Sequence, residues 1–490
     1  MKKNIKKSNL SQPQPKKVLE KALEKKPTKK VEKDVNKKQK VKFQGFKPIM
    51  SNVAGIDIGS TLIHVAIINE NSEYEVREFG TYTTDLNEIS RWLVLSNIKD
   101  AAMEATGVYW VPLFEILEDN GIRAAVVDPK RVKNVPGKKT DVLDCQWIHR
   151  LYSCGLLSAG FRPKKNKEAF RSYIRHRGNL IRARQTALLQ INKSLLLMNV
   201  KLDVVVSEVG SVTGIKIIRA IVEGERDPEV LAKLRHYSCS KPENEFIAAL
   251  TGNFQKTHVF TLKQSLKTYD YFREQIDECD KMILEELLTW ETIVEGAPPL
   301  SKKRKRKVDF SEARKPDQNE FSFDIETILY QKTGVDLTAI NSLGNLTVAT
   351  IVSEIGGKEG LNSFVTEKHW TSWLALCPGN NVSGGKSHGG QSRKAKNRIK
   401  RALLTASMSL CNSKCALGAY YRRLASRVSK AKALKAVAHK LARLIYNLLK
   451  HGTEYVEIGQ EQYENRHRER KIKNLIRNAK EMGYELKESN

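Results

Sequence analysis

Four carboxylates in the first third of the chain have the residue types and the spacing of a two-metal site. Asp57 lies in an apolar predicted strand, and Glu104 ends a second apolar segment, where α/β folds usually place their chemistry. Asp141 and Asp144 are three residues apart at the predicted start of a helix, so their side chains share one face. Together they are expected to hold two Mg²⁺ ions, which would activate a nucleophile and stabilise the leaving oxygen during phosphodiester cleavage.

Two other interpretations of these acids stay open at this point. Helix starts favour acids for capping and for the helix dipole, which explains Asp141 and Asp144 equally well. Residues 55–61 (Gly-Ile-Asp-Ile-Gly-Ser-Thr) also resemble the first phosphate loop of actin-like ATPases and sugar kinases. That function requires a second Asp-x-Gly-Gly phosphate loop and a glycine-rich adenosine loop, and the sequence has neither at a suitable position.

A serine followed by two glycines is the candidate nucleophile. Ser383 precedes a Gly-Gly-Lys sequence in a stretch, residues 368–453, that holds eighteen Lys and Arg and no Asp or Glu. A serine hydroxyl attacks phosphate only when a base or a metal lowers the cost of losing its proton, and no His or Asp adjoins Ser383 in sequence. A flexible turn is the simpler interpretation, and activation by metal on the four carboxylates is the functional one. Ser387 and Ser392 are rivals that lack the paired glycines.

The net charge of +30 is concentrated in two segments. Residues 1–50 hold seventeen Lys against four acids (+13), the acid-free stretch adds +18, and the rest of the chain therefore sums to about −1. Charge confined in this way indicates a polyanionic partner, with nucleic acid first and an anionic membrane surface second. The residues predicted to contact nucleic acid are Lys386, Arg393, Lys394, Lys396, Arg398, Lys400 and Arg401, on or before a basic helix predicted to begin near residue 393.

The sequence argues against a membrane protein and against a disulfide-stabilised protein. No apolar run reaches the roughly 18 residues that cross a bilayer, and no apolar signal segment follows the N-terminal lysines, so we expect a cytoplasmic protein without a membrane partner. The seven cysteines include no C-x-x-C pair with matching histidines, which indicates neither a zinc site nor a disulfide framework. Cys411 and Cys415, four residues apart, are predicted to be buried thiols on one helix.

The spacing of apolar residues predicts an α/β region followed by a long α-helical region. An opening hairpin at 53–60 and 63–68, followed by strands that alternate with helices, implies a mixed sheet covered by helices. Helical spacing over 165–200 and over 262–287 predicts two amphipathic helices paired as an antiparallel coiled-coil arm. A further helical region is predicted from Asp324 onwards, with a late helix that ends at Gly452.

Seven short motifs occur in a specific order along the chain. They are Gly-Ile-Asp at 55–57, Met-Glu-Ala-Thr-Gly at 103–107 with Tyr109, Asp-Pro at 128–129, Lys-Lys-Thr-Asp-Val-Leu-Asp at 138–144, Gly-Glu-Arg-Asp-Pro at 224–228, Ser-Gly-Gly at 383–385 and Ala-Leu-Gly-Ala-Tyr-Tyr at 416–421. Their order and spacing resemble those of the bridge-RNA-guided transposases of the IS110 insertion-sequence family, with its IS1111 relatives. Cys145, where many relatives have alanine, and Val382, where many have another serine, are departures from the family pattern.

The resemblance implies an RNase H-like (RuvC-like) domain with a DEDD quartet, a coiled-coil arm and a C-terminal transposase domain with a serine nucleophile. Carried over by position, the quartet is Asp57, Glu104, Asp141 and Asp144, and the nucleophile is Ser383. The implied domains are a disordered basic tail at 1–50, the RuvC-like domain at 51–163, the coiled coil at 164–295, a basic linker at 296–323, the serine-bearing domain at 324–453 and a charged helical tail at 454–490.

The resemblance also implies partners. A structured noncoding guide RNA would pair with donor and target DNA, so the protein would contact mainly shape and backbone. A homo-oligomer, dimer or tetramer, would join the quartet of one subunit to the serine of another, in a bacterial nucleoid-associated protein. The basic segment 302–307 resembles a nuclear-import signal, but a contact to RNA or DNA is favoured.

Three functions follow from these features. The first is a DNA recombinase that forms a phosphoserine link through Ser383. The second is a metal-dependent, structure-specific nuclease in which water is the nucleophile and Ser383 contacts only the backbone. The third is a non-catalytic nucleic-acid-binding protein with a decayed RNase H domain, and the presence of all four acids argues against it.

Overall fold

The computed structural model describes residues 48–105, 107–132, 141–298, 319–379, 382–387, 395–452 and 459–485, without the side chains of residues 130, 131, 141, 382, 386 and 387. Two compact units make up the chain, Met1–Gly160 and Phe161–Asn490. The predicted basic tail up to residue 47, the predicted basic segment 302–307, and Arg393 with Lys394 lie outside the described residues.

Strands and helices of the first unit form a mixed sheet. Its elements are β1 Val53–Ile58, β2 Ile63–Ile68, β3 Tyr74–Phe79, α1 Thr83–Leu95, β4 Asp100–Glu104, α2 Trp110–Asp119, β5 Arg123–Val127, α3 Pro129–Val132 and α4 Asp141–Ser153. β1, β2 and β3 are antiparallel neighbours, whereas β4 runs parallel to β1 and β5 parallel to β4, in the order β3-β2-β1-β4-β5. This arrangement confirms the expected RNase H-like mixed sheet.

The two faces of the sheet carry different cores. Strand alternation sends Ile56 and Met103, both fully buried, to the face that packs on α1 and α2. On the opposite face, Val53 and Val127 pack against Ile148 of α4. Because side chains two residues apart along a strand share a face, Asp57 belongs with Val53 to the face of α4.

Helices dominate the second unit. Its first part contains α5 Glu168–Leu197, α6 Leu202–Val205, α7 Val212–Glu223, α8 Pro228–Lys233, α9 Glu243–Leu250 and α10 Lys256–Leu288. Its second part contains α11 Ile325–Thr333, α12 Asn345–Ile355, α13 Gly357–Leu361, α14 Glu367–Trp373, β6 Val382–Ser383, β7 Lys386–Ser387, α15 Arg398–Ser409, α16 Ala416–Ala425, α17 Lys430–His451 and α18 Gly459–Glu481. No helix in the described part of the chain has both the length and the apolar composition of a transmembrane segment.

The long helices α5 and α10 pair in opposite directions, as predicted. Near the end of α5, the hydroxyl oxygens of Ser194 and Thr261 are 3.3 Å apart, and nearer its start Arg177 is ion-paired with Asp280. Residue numbers on one helix rise as those on the other fall, so the pair is antiparallel. One end of the pair shares its core with α7 and α9, and the other end shares its core with α11 and α12.

The helices that follow confirm some sequence predictions and correct others. α17 ends at His451, and Gly452, whose φ is +65°, caps it as the left-handed helix stop that was predicted. The basic helix α15 begins at Arg398, five residues later than predicted, because Asn397 caps it by accepting the backbone N–H of Lys400 at 3.0 Å.

The placement of two cysteines on one helix was wrong. α15 ends at Ser409, and Cys415 caps the start of α16, where its sulfur accepts the backbone N–H of Gly418 at 3.3 Å. Cys411 therefore lies in the loop between the two helices. All seven cysteines are free thiols.

A buried ion pair ties the arm to the segment that enters the second part of the unit. The side chains of Arg177 and Asp280 are 0% and 1% exposed. Arg177 donates to the carbonyl oxygens of Asn319 and Glu320 at 3.1 and 2.8 Å, and Asp280 accepts the N–H of Ser322 at 3.0 Å. Each charged group is thus paired and hydrogen-bonded, which is the condition under which a buried ion pair is tolerated.

Replacing Asp280 with Ala should lower the free energy of unfolding by about 3–5 kcal/mol, because it leaves a buried, unpaired guanidinium. Asp270→Ala is the matched control on the same helix, since its pair with Arg219 at 2.6 Å is 29% and 43% exposed and should contribute at most about 1 kcal/mol. Urea unfolding followed by circular dichroism measures both changes. Equal losses for the two variants would contradict a structural role for the buried pair.

Candidate active site

The ends of β1 and β4 bring two of the predicted carboxylates side by side. Ile56 is the partner of Met103 in the parallel register, so Asp57 and Glu104 are the next neighbours along these two strands. Neighbours in register point to the same face, and adjacent strands are about 4.8 Å apart. Both residues are half-buried. Two of the four carboxylates therefore share one place on the sheet, on the face that α4 covers.

These two carboxylates belong to a polar row that crosses the sheet. Its members from β3 to β5 are Glu78, His64, Asp57, Glu104 and the apolar Val127. His64 is only 8% exposed, and its Nε2 lies 3.2 Å from an Oε of Glu78. Sequence reasoning missed these two residues. The signal available was a histidine within the otherwise apolar strand β2, but its partner depends on the cross-strand register.

The neighbouring row consists of small residues on four of the five strands and lets α4 lie close to the sheet. Its members from β2 to β5 are Ala66, Gly55, Ala102 and Ala125, and Val76 continues it on the edge strand β3. A Cβ added to Gly55 would lie 2.2 Å from the carbonyl oxygen of Cys145 and 2.3 Å from the amide nitrogen of His149. No side chain larger than hydrogen fits there unless α4 moves, because protein interiors are close-packed.

The direction of α4 carries its first turn toward the polar row. Ile49 and Met50, which precede β1, donate their backbone N–H groups to the carbonyl oxygen of Ser153 at the end of α4, whereas Gly55 touches the backbone of Cys145 and His149 nearer its middle. Asp57 is two residues beyond Gly55 on β1 and lies on the same face of the sheet. Because progress along β1 corresponds to movement toward the start of α4, the first turn with Asp144 belongs to the end of the sheet that carries Asp57. The helix begins at Asp141, as predicted, although the side chain of that residue is outside the described part.

The electrostatics of Cys145 support this placement. The pKa of its thiol is raised to about 12, first by burial and then also by the negative charges of Asp57 and Asp144. A strand carboxylate and a helix carboxylate thus act on the same sulfur. At neutral pH the thiol stays protonated, and a protonated thiol is neither a nucleophile nor a metal ligand.

A second buried group anchors α4 on the sheet. Burial and the charge of Arg150 lower the pKa of His149 to about 4, so its imidazole is neutral at physiological pH. The hydroxyl of Tyr74, on β3, lies 3.1 Å from its Nδ1. A neutral imidazole can be buried at a much lower cost than a charged one, so this contact is compatible with the close approach at Gly55.

The donor chemistry of the site fits Mg²⁺. Hard divalent cations prefer carboxylate oxygens, and the site offers Asp57, Glu104 and Asp144 with Asp141 at the start of the same helix. Among the described residues, no three His, Cys, Asp or Glu side chains are grouped at metal-binding distances. The structure therefore shows where the backbone segments that carry the carboxylates lie, rather than a set of side chains already arranged around a metal.

Ser383 lies in a short β-hairpin whose two strands are joined by a two-residue turn. β6 and β7 place Ser383 directly opposite Lys386. Gly384 and Gly385 connect them with φ values of +57° and +74°, the left-handed pair that a type I′ turn requires. Ser383 and both glycines are exposed, and a Cβ added to either glycine would meet no atom of the described chain within 4 Å. The candidate nucleophile thus stands at the base of a tight, exposed turn.

The residues predicted to contact nucleic acid have different surroundings. Lys396, Arg398 and Arg401 are exposed, and the last two are three residues apart on α15 and share a face. Lys400 is half-buried, and its pKa is lowered by burial and by the charge of Lys435. The backbone of Lys386 lies in β7.

Gly55→Ala should displace α4 and weaken any activity that depends on Asp57, with a loss of stability of about 1–3 kcal/mol from overpacking. Gly178→Ala is the matched control, because a Cβ there meets no atom within 4 Å and alanine favours the helix. Thermal unfolding and DNA cleavage of both variants measure the effect. A Gly55→Ala protein with wild-type stability and activity would contradict the close contact.

Two family models match the chain. A DEDD transposase model of the IS110 type matches residues 54–199, which include the four carboxylates. A model described as transposase of the IS116/IS110/IS902 family matches residues 336–422, which include Ser383. No curated protein matches the chain. The two matches, together with the RNase H-like sheet, show that these two regions of the chain are similar to transposases of the IS110 family.

Proposed function

We propose that this chain is a transposase of the IS110 type that cuts and rejoins DNA through a serine nucleophile, assisted by Mg²⁺ on the four carboxylates. The observation that supports the proposal most is the polar row that sets Asp57 beside Glu104, with the first turn of α4 directed toward it. An exposed serine on a type I′ hairpin supplies a nucleophile of the required kind.

In the proposed step, the Ser383 hydroxyl oxygen forms a bond to a backbone phosphorus, and the bond from that phosphorus to one deoxyribose oxygen breaks. The hydroxyl loses its proton, and the departing sugar oxygen gains one. Bound Mg²⁺ would supply charge stabilisation for both oxygens. Asp57, Glu104, Asp141 and Asp144 would hold it. Strand exchange then reverses the reaction with a new sugar hydroxyl, so no external energy source is needed.

The exposed face of α15 would hold the DNA backbone for this step. Arg398 and Arg401 share that face, and Lys396 precedes it. Arginine presents a planar fork of N–H donors that matches phosphate oxygens. In the same proposal, a structured noncoding RNA selects donor and target DNA, and the carboxylates of one subunit act with the serine of another in a dimer or tetramer.

A second candidate function is a metal-dependent nuclease in which water attacks the phosphate. The carboxylate row would serve that reaction as well, since two-metal sites activate water in the same way as a hydroxyl. The two functions differ in their products. A serine nucleophile leaves DNA covalently attached to the denatured protein, whereas hydrolysis leaves free ends.

Ser383→Ala should abolish both the covalent protein–DNA adduct and excision of the element, while guide-RNA binding stays nearly intact, because only the attacking oxygen is removed. The measurement is the retention of an end-labelled DNA strand on denatured protein. Ser387→Ala, a second serine of the same hairpin, is the matched control and should retain the adduct. Undiminished recombination by Ser383→Ala would overturn the proposal, and wild-type cleavage without an adduct would favour the nuclease.

A further inference from the structure

A buried glutamate in the second unit is surrounded by arginines from two helices. The side chain of Glu354, near the end of α12, is 8% exposed. Arg175 of α5 donates to both of its oxygens at 2.7 Å, and Arg171, one turn earlier, donates to it at 3.2 Å. Arg398, the first residue of α15, lies 3.7 Å away. Three guanidinium groups thus share one carboxylate.

This carboxylate is a fixed negative centre. Burial alone would raise the pKa of Glu354, but the hydrogen bonds and charges of Arg175 and Arg171 outweigh burial, and the pKa is lowered. An ionised carboxylate that accepts charge-assisted hydrogen bonds from two guanidinium groups also fixes their orientation. Glu354 therefore sets the geometry with which α5 presents these two arginines, and it attracts Arg398 of α15 at 3.7 Å.

The arginines outnumber the acids around them. The pKa of Arg398 is lowered, first by burial and then by the positive charge of Arg175, and Arg182 and Arg401 act in the same direction against the single opposing charge of Glu354. Arg171 has a second acid, Glu168, at 3.1 Å. Arg162 also lies 3.6 Å from Glu168, so six arginines (162, 171, 175, 182, 398 and 401) face two carboxylates, an excess of four positive charges.

We propose that Arg175, Arg182, Arg398 and Arg401 form one surface, the α5–α15 arginine surface, which binds the phosphodiester backbone of a nucleic acid. Such a ligand would offset the excess charge, and its paired phosphate oxygens match the guanidinium fork. This surface adds a binding site to the proposed function. It rests on that proposed function for the identification of the nucleic acid as DNA or guide RNA. It assigns to the arm helix α5 a direct part in binding, in addition to its pairing with α10.

Arg182 and Arg401 are the residues with which to test this surface, because both are exposed and neither belongs to the Glu354 ion pairs. Removing a phosphate contact weakens binding to all sequences alike. It also lowers the slope of the logarithm of the binding constant against the logarithm of salt concentration by about one unit per contact. The double variant Arg182→Ala/Arg401→Ala should therefore bind about tenfold more weakly and lose about two units of slope. Arg182→Lys/Arg401→Lys keeps both charges and should recover most of that slope.

The probes are a single-stranded DNA, the corresponding duplex and an RNA hairpin, each titrated with the full-length chain over a range of salt concentrations. A loss confined to the DNA probes assigns the surface to donor or target DNA, and a loss confined to the hairpin assigns it to the guide RNA. Arg219→Ala/Arg235→Ala is the matched control, since it also removes two charges from the second unit but takes arginines that are paired with Asp270 and Glu243.

Unchanged affinity and slope for all three probes would overturn the proposal, as would an equal loss in the control pair. Thermal unfolding of each variant shows whether the fold is intact, and the lysine variant tests the charge without removing a long side chain. Because the readout is equilibrium binding, a negative result here leaves the serine-adduct test untouched. A failure of the serine to form an adduct would likewise leave this surface intact.

Discussion

The carboxylate site depends on the contact between Gly55 and the backbone of α4. Four small residues in one row of the sheet remove the side chains that would otherwise hold a helix at normal packing distance. α4 then lies against the strand with its Cys145 carbonyl where a Cβ would be. The row of small residues lets α4 approach the sheet closely. That close approach brings the first turn of α4 toward the polar row beside it. A helix held further away would carry Asp144 away from Asp57 and Glu104.

The second unit relies on ionic contacts of a different kind. Arg177 and Asp280 are fully buried and satisfied by surrounding backbone groups, so that pair holds the arm to the segment at 319–322. Glu354 is also buried, but it has more arginines around it than it can neutralise. The first arrangement serves the fold. The second leaves positive charge directed at solvent, which is the property expected of a surface that receives a polyanion.

Much of this fold follows from local patterns in the sequence. Short apolar segments predicted the strands around Asp57 and Glu104, and helical spacing predicted α5 and α10 together with their antiparallel pairing. The features that the sequence did not reveal are those that depend on register or on distant contacts. His64 meets Glu78 only because β2 and β3 pair in one register, and Glu354 meets Arg175 across 179 residues. The late start of α15 and the cap at Cys415 depend on single side-chain hydrogen bonds that periodicity does not report.

The carboxylates at the ends of β1 and β4 are expected to form a divalent-metal site. Binding of Mn²⁺ to the full-length chain, followed by electron paramagnetic resonance, tests this site independently of catalysis. Asp57→Asn and Glu104→Gln should each weaken binding by at least about tenfold, since each removes a charged oxygen ligand, whereas Ser383→Ala should leave binding unchanged. Equal Mn²⁺ affinity and stoichiometry in the wild-type and Asp57→Asn proteins would contradict this expectation.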